Sequence, residues 1–292
     1  MKKTLFLIDG FSYLYRTYYV SKNISYKKNI KVRAIYGLLH LLRKIIIKYK
    51  PKKIAIIFDH KKNDFRKKIY KKYKEKRKKM PKDLKKQLPL LYKIIKLLGI
   101  PLLIIKYVEA DDVIGTIAKK EEKEMKVLIL TSDKDFSQLV NKNINILDIY
   151  KKKILGAKEI KNKYGVYPNL MIDWLSLVGD ISDNIPGVCG IGKKTAVVLL
   201  TNIGNIKKIY KNINLIDNLQ IRCKKKIISN LIKYKKLAFL SYKLAKIKLN
   251  VKIDVNLSLS KPHKKKLEKI FLKINFNNWL IYLKKDVWLN KY

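Results

Sequence analysis

Nine carboxylates, Asp9, Asp59, Glu109, Asp111, Asp112, Asp133, Asp135, Asp180 and Asp183, stand where apolar runs end or in short acidic clusters of a chain with 69 lysines and arginines against 22 acids. A chain so basic has no general reason to gather its few acids. Converging on one place, they would repel each other and rise in pKa unless something cationic neutralised them. Hard divalent ions take oxygen ligands of this kind, so the pattern predicts a magnesium or manganese site. One aspartate after a strand is commonly a helix N-cap. That explanation does not extend to all of these positions together.

The elements that must position the acids are legible as short apolar runs. Lys3 to Ile8, Lys53 to Phe58, Leu102 to Ile105 and Lys126 to Leu130 have the length and β-branched content of buried parallel strands. Helical patterns separate them, among them Gly37 to Lys48 and Asp111 to Glu124. This alternation predicts an α/β fold with a mostly parallel sheet and helices on both faces. In such sheets the ligand site lies outside the carboxyl ends of the strands. Asp9, Asp59, Glu109 and Asp133 each follow a strand and so arrive at one sheet edge.

With 292 residues and 48% hydrophobic content, the chain can bury one large core or two joined ones. A formal net charge of +47 suits a protein that meets a polyanion, nucleic acid foremost. Lys, Ile, Asn and Tyr are enriched together, as AT-rich coding would produce, so both origins of the charge stay open. Cys189 and Cys223 lack metal-ligand spacing and fit a reducing compartment. The apolar run after Met1-Lys2-Lys3 ends at Asp9, short of a signal peptide. Lys93, Lys96 and the Gly99-Ile100-Pro101 break interrupt the longest apolar stretch, which excludes it as a membrane span. A cytoplasmic, soluble protein is expected.

Between 61 and 86 the chain is densely basic, with Tyr70 and Tyr73 interleaved. It reads as a solvated helix or loop or, if helical, as a face presenting Lys74 and Arg77 to a phosphate. From about Lys158 the pattern is mostly helical. Gly187, Gly190 and Gly192 punctuate a turn leading through Lys193 and Lys194 into a helix opening at Thr195. Such a turn lets backbone N–H groups approach a phosphate at a helix N-terminus. Trp279 and Trp288, in the final stretch, read as packing, and His40, His60 and His263 carry no evident role.

Several stretches, in order along nearly the whole chain, resemble the 5′-nuclease (flap endonuclease) family, most closely the 5′→3′ exonuclease domain of bacterial DNA polymerase I. They are Leu7-Ile8-Asp9-Gly10 with Tyr13 to Arg16, Phe58-Asp59, Phe65-Arg66 with Tyr73-Lys74 and Arg77, Val108 to Gly115, Ser132 to Asp135, Gly179-Asp180 with Ser182 to Gly187, and Gly190 to Ala196. The resemblance implies a core of PIN-like or resolvase-like type over 1–157, including a helical arch in 61–86, a helix-hairpin-helix-type DNA-binding region over 158–261, and a C-terminal extension over 262–292 that packs on the core.

The resemblance further implies two divalent ions, Mg²⁺ or Mn²⁺. Asp9, Asp59, Glu109 and Asp111 look like one site, Asp133, Asp135, Asp180 and Asp183 like the other, with Asp112 contributing directly or through water. Two ions of this kind can generate hydroxide and clamp the attacking and leaving oxygens of a phosphodiester. Arg16, Lys74 and Arg77 match basic residues that steer the scissile phosphate, Tyr73 and the glycine turn match DNA-contacting positions, and a potassium ion can sit in that turn. The implied activity is structure-specific 5′→3′ exonuclease and flap cleavage on DNA with 5′ flaps, nicks or RNA primers. It would be carried by a stand-alone, nucleoid-associated monomer working beside a separate polymerase and ligase. A catalytically silent DNA-binding protein and a related ribonuclease are the competing readings.

Overall fold

The computed structural model describes residues 3–20, 32–60, 65–148 and 153–285. Six strands form one sheet in the order β3-β2-β1-β4-β5-β6. They are β1 (Thr4–Asp9), β2 (Lys53–Ile57), β3 (Leu102–Leu103), β4 (Lys126–Leu130), β5 (Ile144–Asp148) and β6 (Lys153–Leu155). All neighbouring strands pair in parallel except β6, which runs antiparallel to β5. The four expected strands are present, although the third is cut to two residues. β5 and β6 extend the sheet beyond the expectation.

Alternation along the central strands assigns each face of the sheet to its own core. Leu5, Leu7, Ala55, Ile57, Val127 and Ile129 face one way, onto Val113, Ile114 and Ile117 of helix α5 (Ala110–Glu121). Phe6, Ile8, Ile54 and Ile56 face the other, onto Leu38, Leu42 and Ile45 of helix α2 (Arg33–Tyr49) and Leu91, Ile94 and Ile95 of helix α4 (Lys82–Leu97). Both faces are therefore dry, as a parallel sheet requires. Helix α1 (Gly10–Val20) leaves β1 without an intervening loop.

The basic segment is only partly helical. Lys61 to Asp64 lie outside the described residues; helix α3 spans Phe65–Ile69, and the chain then turns until α4 starts at Lys82. Lys74 has φ of 54°, a left-handed backbone, so Lys74 and Arg77 do not share a helical face as their spacing suggested.

The rest of the chain is helical: α6 (Ala157–Tyr164), α7 (Met171–Val178), α8 (Lys193–Asn202), α9 (Ile206–Lys211), α10 (Lys224–Lys233) and α11 (Lys235–Ala245). Their apolar faces share the α5-side core, through Trp174, Leu175, Leu199, Leu231 and Leu244 among others. Helices α12 (Lys264–Lys273) and α13 (Asn277–Lys284) return to the opposite face, where Leu267, Phe271 and Trp279 join the α2 and α4 core. Trp288 lies outside the described residues. Among the described residues no helix is long and apolar enough to cross a membrane.

Candidate active site

The strand order reverses direction between β1 and β4, the switch point at which open α/β sheets bind ligands. Asp9 is the last residue of β1, and Asp133 follows the end of β4. Thr131 joins them: its hydroxyl donates to Asp9 Oδ2 at 2.9 Å and accepts from the Asp133 amide at 3.0 Å. Asp59, just beyond β2, accepts from the Ala110 amide at 2.7 Å, at the N-terminus of α5, where backbone N–H groups need an acceptor. That contact fixes the start of the helix carrying Asp111. Asp9, Asp59, Asp111 and Asp133 line a cavity of about 380 Å³, together with Ser12, Tyr15, Lys74 and Arg77.

A second group lies beside it. Carboxylate oxygens of Asp135, Asp180 and Asp183, all buried, fall within 4.8 Å of one another. The loop carrying the last two closes tightly, with Asp180 and Ile185 exchanging backbone hydrogen bonds at 2.9 and 2.8 Å. At its neck Gly187 (φ 66°) approaches so closely that a Cβ there would lie 2.5 Å from the Gly179 nitrogen.

Electrostatics show how far the cluster is from neutral. Burial pushes Asp9 up to about 7, and Asp133 and Asp59 push the same way. Asp59, Asp111, Asp133 and Asp135 are likewise raised, by burial first and by neighbouring acids. Asp180 is lowered: burial alone would raise it, but hydrogen bonds from Ser182 and Lys134 prevail. Several cations among the described residues reach these acids. Lys74 Nζ lies 3.1 Å from Glu109 and 3.7 Å from Asp183, Arg77 Nε donates to Asp183 at 2.9 Å, Lys134 meets Asp180 at 3.0 Å, and Arg66 pairs with Glu109 and Asp112. Negative charge remains in excess. Asp135 Oδ1 is buried with no hydrogen-bond partner, so the site presents an acceptor with nothing to accept from. Oxygen donors, excess negative charge and an orphaned oxygen fit a hard divalent ion.

Not every expected residue faces this site. Both Asp112 oxygens accept from Arg66, at 2.9 and 2.8 Å, and Oδ1 also accepts from the Lys248 amide at 2.9 Å. Asp112 is thus a buried anchor that does not line the cavity and whose two oxygens are already engaged by Arg66. Glu109 is held on the same side by Arg66, Tyr73 and Lys74. Tyr73 is 3% exposed and its hydroxyl donates to Glu109 and Asp183, 3.3 Å from each, so it supports the acids and is not a DNA-facing surface. Gly187 is likewise buried in the loop neck and donates its N–H to Ser241 Oγ. Gly190 (φ 79°), Gly192, Lys193 and Lys194 are exposed, Thr195 is half-buried, and α8 starts at Lys193, two residues earlier than expected. Arg16 is half-buried on α1, one turn after Ser12, and does not line the cavity.

Arg66 stands in one of the stretches that carry the resemblance, but sequence reasoning gives it no role. It is 4% exposed, and besides the two acids it donates to the carbonyls of Leu244 and Lys246 at 2.8 and 2.9 Å. Its neighbours Lys67 and Lys68 look the same in sequence. Asn184 was also passed over: its side-chain amide donates to the Lys72 carbonyl at 2.7 Å, and the Lys74 amide donates to the Asp183 carbonyl at 2.9 Å. These bonds tie the 72–77 turn to the acidic loop.

The fold and site define a basic α/β protein with a carboxylate-lined cavity at a sheet switch point and a helical second half. Comparison with known proteins makes the assignment specific. Residues 4–165 match "5'-3' exonuclease, N-terminal resolvase-like domain" and residues 166–269 match "5'-3' exonuclease, C-terminal SAM fold". A 5′-3′ exonuclease of Buchnera aphidicola subsp. Baizongia pistaciae is 44% identical over 97% of this chain and 95% of that one. DNA polymerase I of Pseudomonas aeruginosa is 38% identical over 94% of this chain, which covers 31% of the polymerase. In fold, a complex of the bacteriophage T5 D15 flap endonuclease with DNA and metal ions superposes with a TM-score of 0.66 at 21% identity, covering 98% of each chain. The chain belongs to the 5′-3′ exonuclease family.

Proposed function

We propose that this protein hydrolyses DNA phosphodiesters from the 5′ end, at flaps, nicks and RNA primers, using two divalent ions. The observation that carries the proposal is the pair of adjoining carboxylate groups at the switch point, one of them with an orphaned buried oxygen. Asp9, Asp59, Asp111 and Asp133 would hold one ion and Asp135, Asp180 and Asp183 the other, with Mg²⁺ or Mn²⁺ the suitable metals. Bound there, such ions supply hydroxide near neutral pH and offset charge on the attacking and leaving oxygens.

The remaining work falls to the chain itself. Lys74 and Arg77 reach into the cavity from the turn before α4, and burial lowers but the surrounding acids raise both, so each stays charged. They are placed to draw a phosphate onto the acids and to stabilise its added charge in the transition state. Arg16 adds positive charge one turn along α1. The exposed turn from Gly190 to Lys194 offers backbone amides and two ammonium groups to duplex phosphates, contacts that position DNA without reading its sequence. A potassium ion at that turn completes the cations of this reading. Removal of primers and flaps by a monomer would leave gaps and nicks for a polymerase and a ligase.

The test is cleavage of a 5′-labelled flap duplex with and without Mg²⁺, beside Asp111→Ala. We expect Mg²⁺-dependent products near the junction, reduced more than about 100-fold in the variant, since even supporting residues around metals cost that much. Tight binding with no product in either condition would replace the nuclease reading with a DNA-binding one.

A further inference from the structure

A second concavity lies on the far flank of α3, between that helix and the segment that follows α11. It measures about 460 Å³. Its apolar floor includes Phe65, Ile69 and Leu249, which are 38%, 38% and 39% exposed, three large hydrophobic side chains left open in one groove. Lys243, Lys246 and Lys248 surround them. An apolar patch rimmed by polar groups marks a binding surface, and a rim of ammonium groups with no carboxylate among the lining residues selects an anion-bearing occupant.

We propose that this groove seats an unpaired nucleotide of the substrate's 5′ strand, its base against Phe65 and its phosphates on the lysines; the proposal rests on the nuclease reading above and extends it. The chemistry is that of single-strand binding surfaces, which combine an aromatic face with a cationic track. Lys248 Nζ now lies 3.1 Å from the centroid of the Phe65 ring. A single cation over an exposed ring is held more weakly than a base stacked on it. A base therefore displaces the ammonium, which is long enough to swing onto the adjoining phosphate.

The groove is rigidly joined to the active site. Phe65 and Arg66 are consecutive on α3, and Arg66 is fixed to Asp112, Glu109 and the Lys246 carbonyl. The Lys248 amide is itself held by Asp112. Both walls of the groove thus hang on one buried ion cluster, and Glu109 of that cluster contacts Lys74 in the catalytic cavity.

The test is fluorescence anisotropy in chelator, on a duplex with a 5′ single-stranded extension and on the same duplex without it. Phe65→Leu keeps apolar bulk but removes the flat face, and is expected to weaken binding of the extended duplex about tenfold while leaving the plain duplex unchanged. Phe65→Trp should restore or tighten it. Lys246→Ala with Lys248→Ala should flatten the salt dependence for the extended duplex alone. Equal weakening on both duplexes, or no change on either, overturns the proposal. Mg²⁺-dependent cleavage of both duplexes is measured in parallel. Wild type that binds selectively yet cuts neither refutes the nuclease reading and leaves the groove standing, whereas cleavage of both with unaltered Phe65→Leu binding refutes the groove alone.

Discussion

Asp9 is a residue at which burial and function pull against each other. Its pKa in the folded chain is about 7 against an ordinary 3.8. A carboxyl raised on folding adds stability below its unfolded pKa and loses it as pH rises through the folded one. Without metal, the contribution of Asp9 should therefore fall steadily between pH 4 and pH 7 and then level off, by up to roughly 4 kcal/mol at about 1.4 kcal/mol per unit. Asp9→Asn removes that charge. The expected outcome is a melting temperature in chelator that exceeds wild type by a margin growing from pH 4 to 7 and constant above. An equal margin at every pH would show that Asp9 is not the group responsible. The acids themselves were visible in sequence because a strand end, a short apolar run and a carboxylate are all local features. Whether a given carboxylate looks into the cavity or behind it was not. Asp111 and Asp112 are adjacent on α5, and only the helical rotation between them separates a cavity wall from a buried anchor.

At the scale of elements, the weight rests on α3, five residues long and too short to hold itself helical. Arg66 fastens it, at the expense of burying a cation between two acids. Breaking such a pair from one side is costly. Arg66→Ala should lower stability by about 3–5 kcal/mol, because Asp112 is left uncompensated while Glu109 keeps Lys74, and Arg66→Met with Asp112→Leu should recover part of the loss, both read from urea midpoints. If the single variant unfolds like wild type, the clamp is not structural. Sequence periodicity could not reveal α3, since it has fewer than two turns, and charge could not single out Arg66 among its basic neighbours. β5 and β6 escaped for a related reason. Ile144-Asn145-Ile146-Leu147-Asp148 is neither a continuous apolar run nor a clean alternation, and β6 is half solvent-exposed at the sheet edge. Long amphipathic α2 and the central strands, by contrast, carry enough apolar residues for their period to be read directly.

For the whole molecule the question is what a net charge of +47 accomplishes. Spread over the surface, it favours association with any nucleic acid and makes affinity fall steeply with salt. A lysine that truly touches a phosphate can be told from one that only adds to the field. Lys193→Ala with Lys194→Ala should reduce the slope of log affinity against log salt by about 2 on duplex DNA, roughly 1 for each phosphate no longer neutralised. The same double change made in Lys264 and Lys265 of α12, on the opposite side of the sheet, should leave the slope nearly unchanged. An equal reduction from both pairs would make the charge a matter of composition. Composition alone could not separate these cases in sequence, because lysine enriched by coding bias and lysine retained for phosphate binding are the same letter.

The Arg66 clamp also ties the beginning of the chain to a segment made much later. The carbonyls that receive its guanidinium belong to Leu244 and Lys246, 178 and 180 residues further along the chain. While the polypeptide is still being synthesised, at about 5–20 residues per second, Arg66 is outside the ribosome well before the two carbonyls that complete its hydrogen bonds exist. The ribosome must add those late carbonyls before Arg66 is fully seated. A chain that stops before Leu244 lacks both carbonyls, so its Arg66 would keep the two acids but lose the backbone anchor that joins α3 to the helical half.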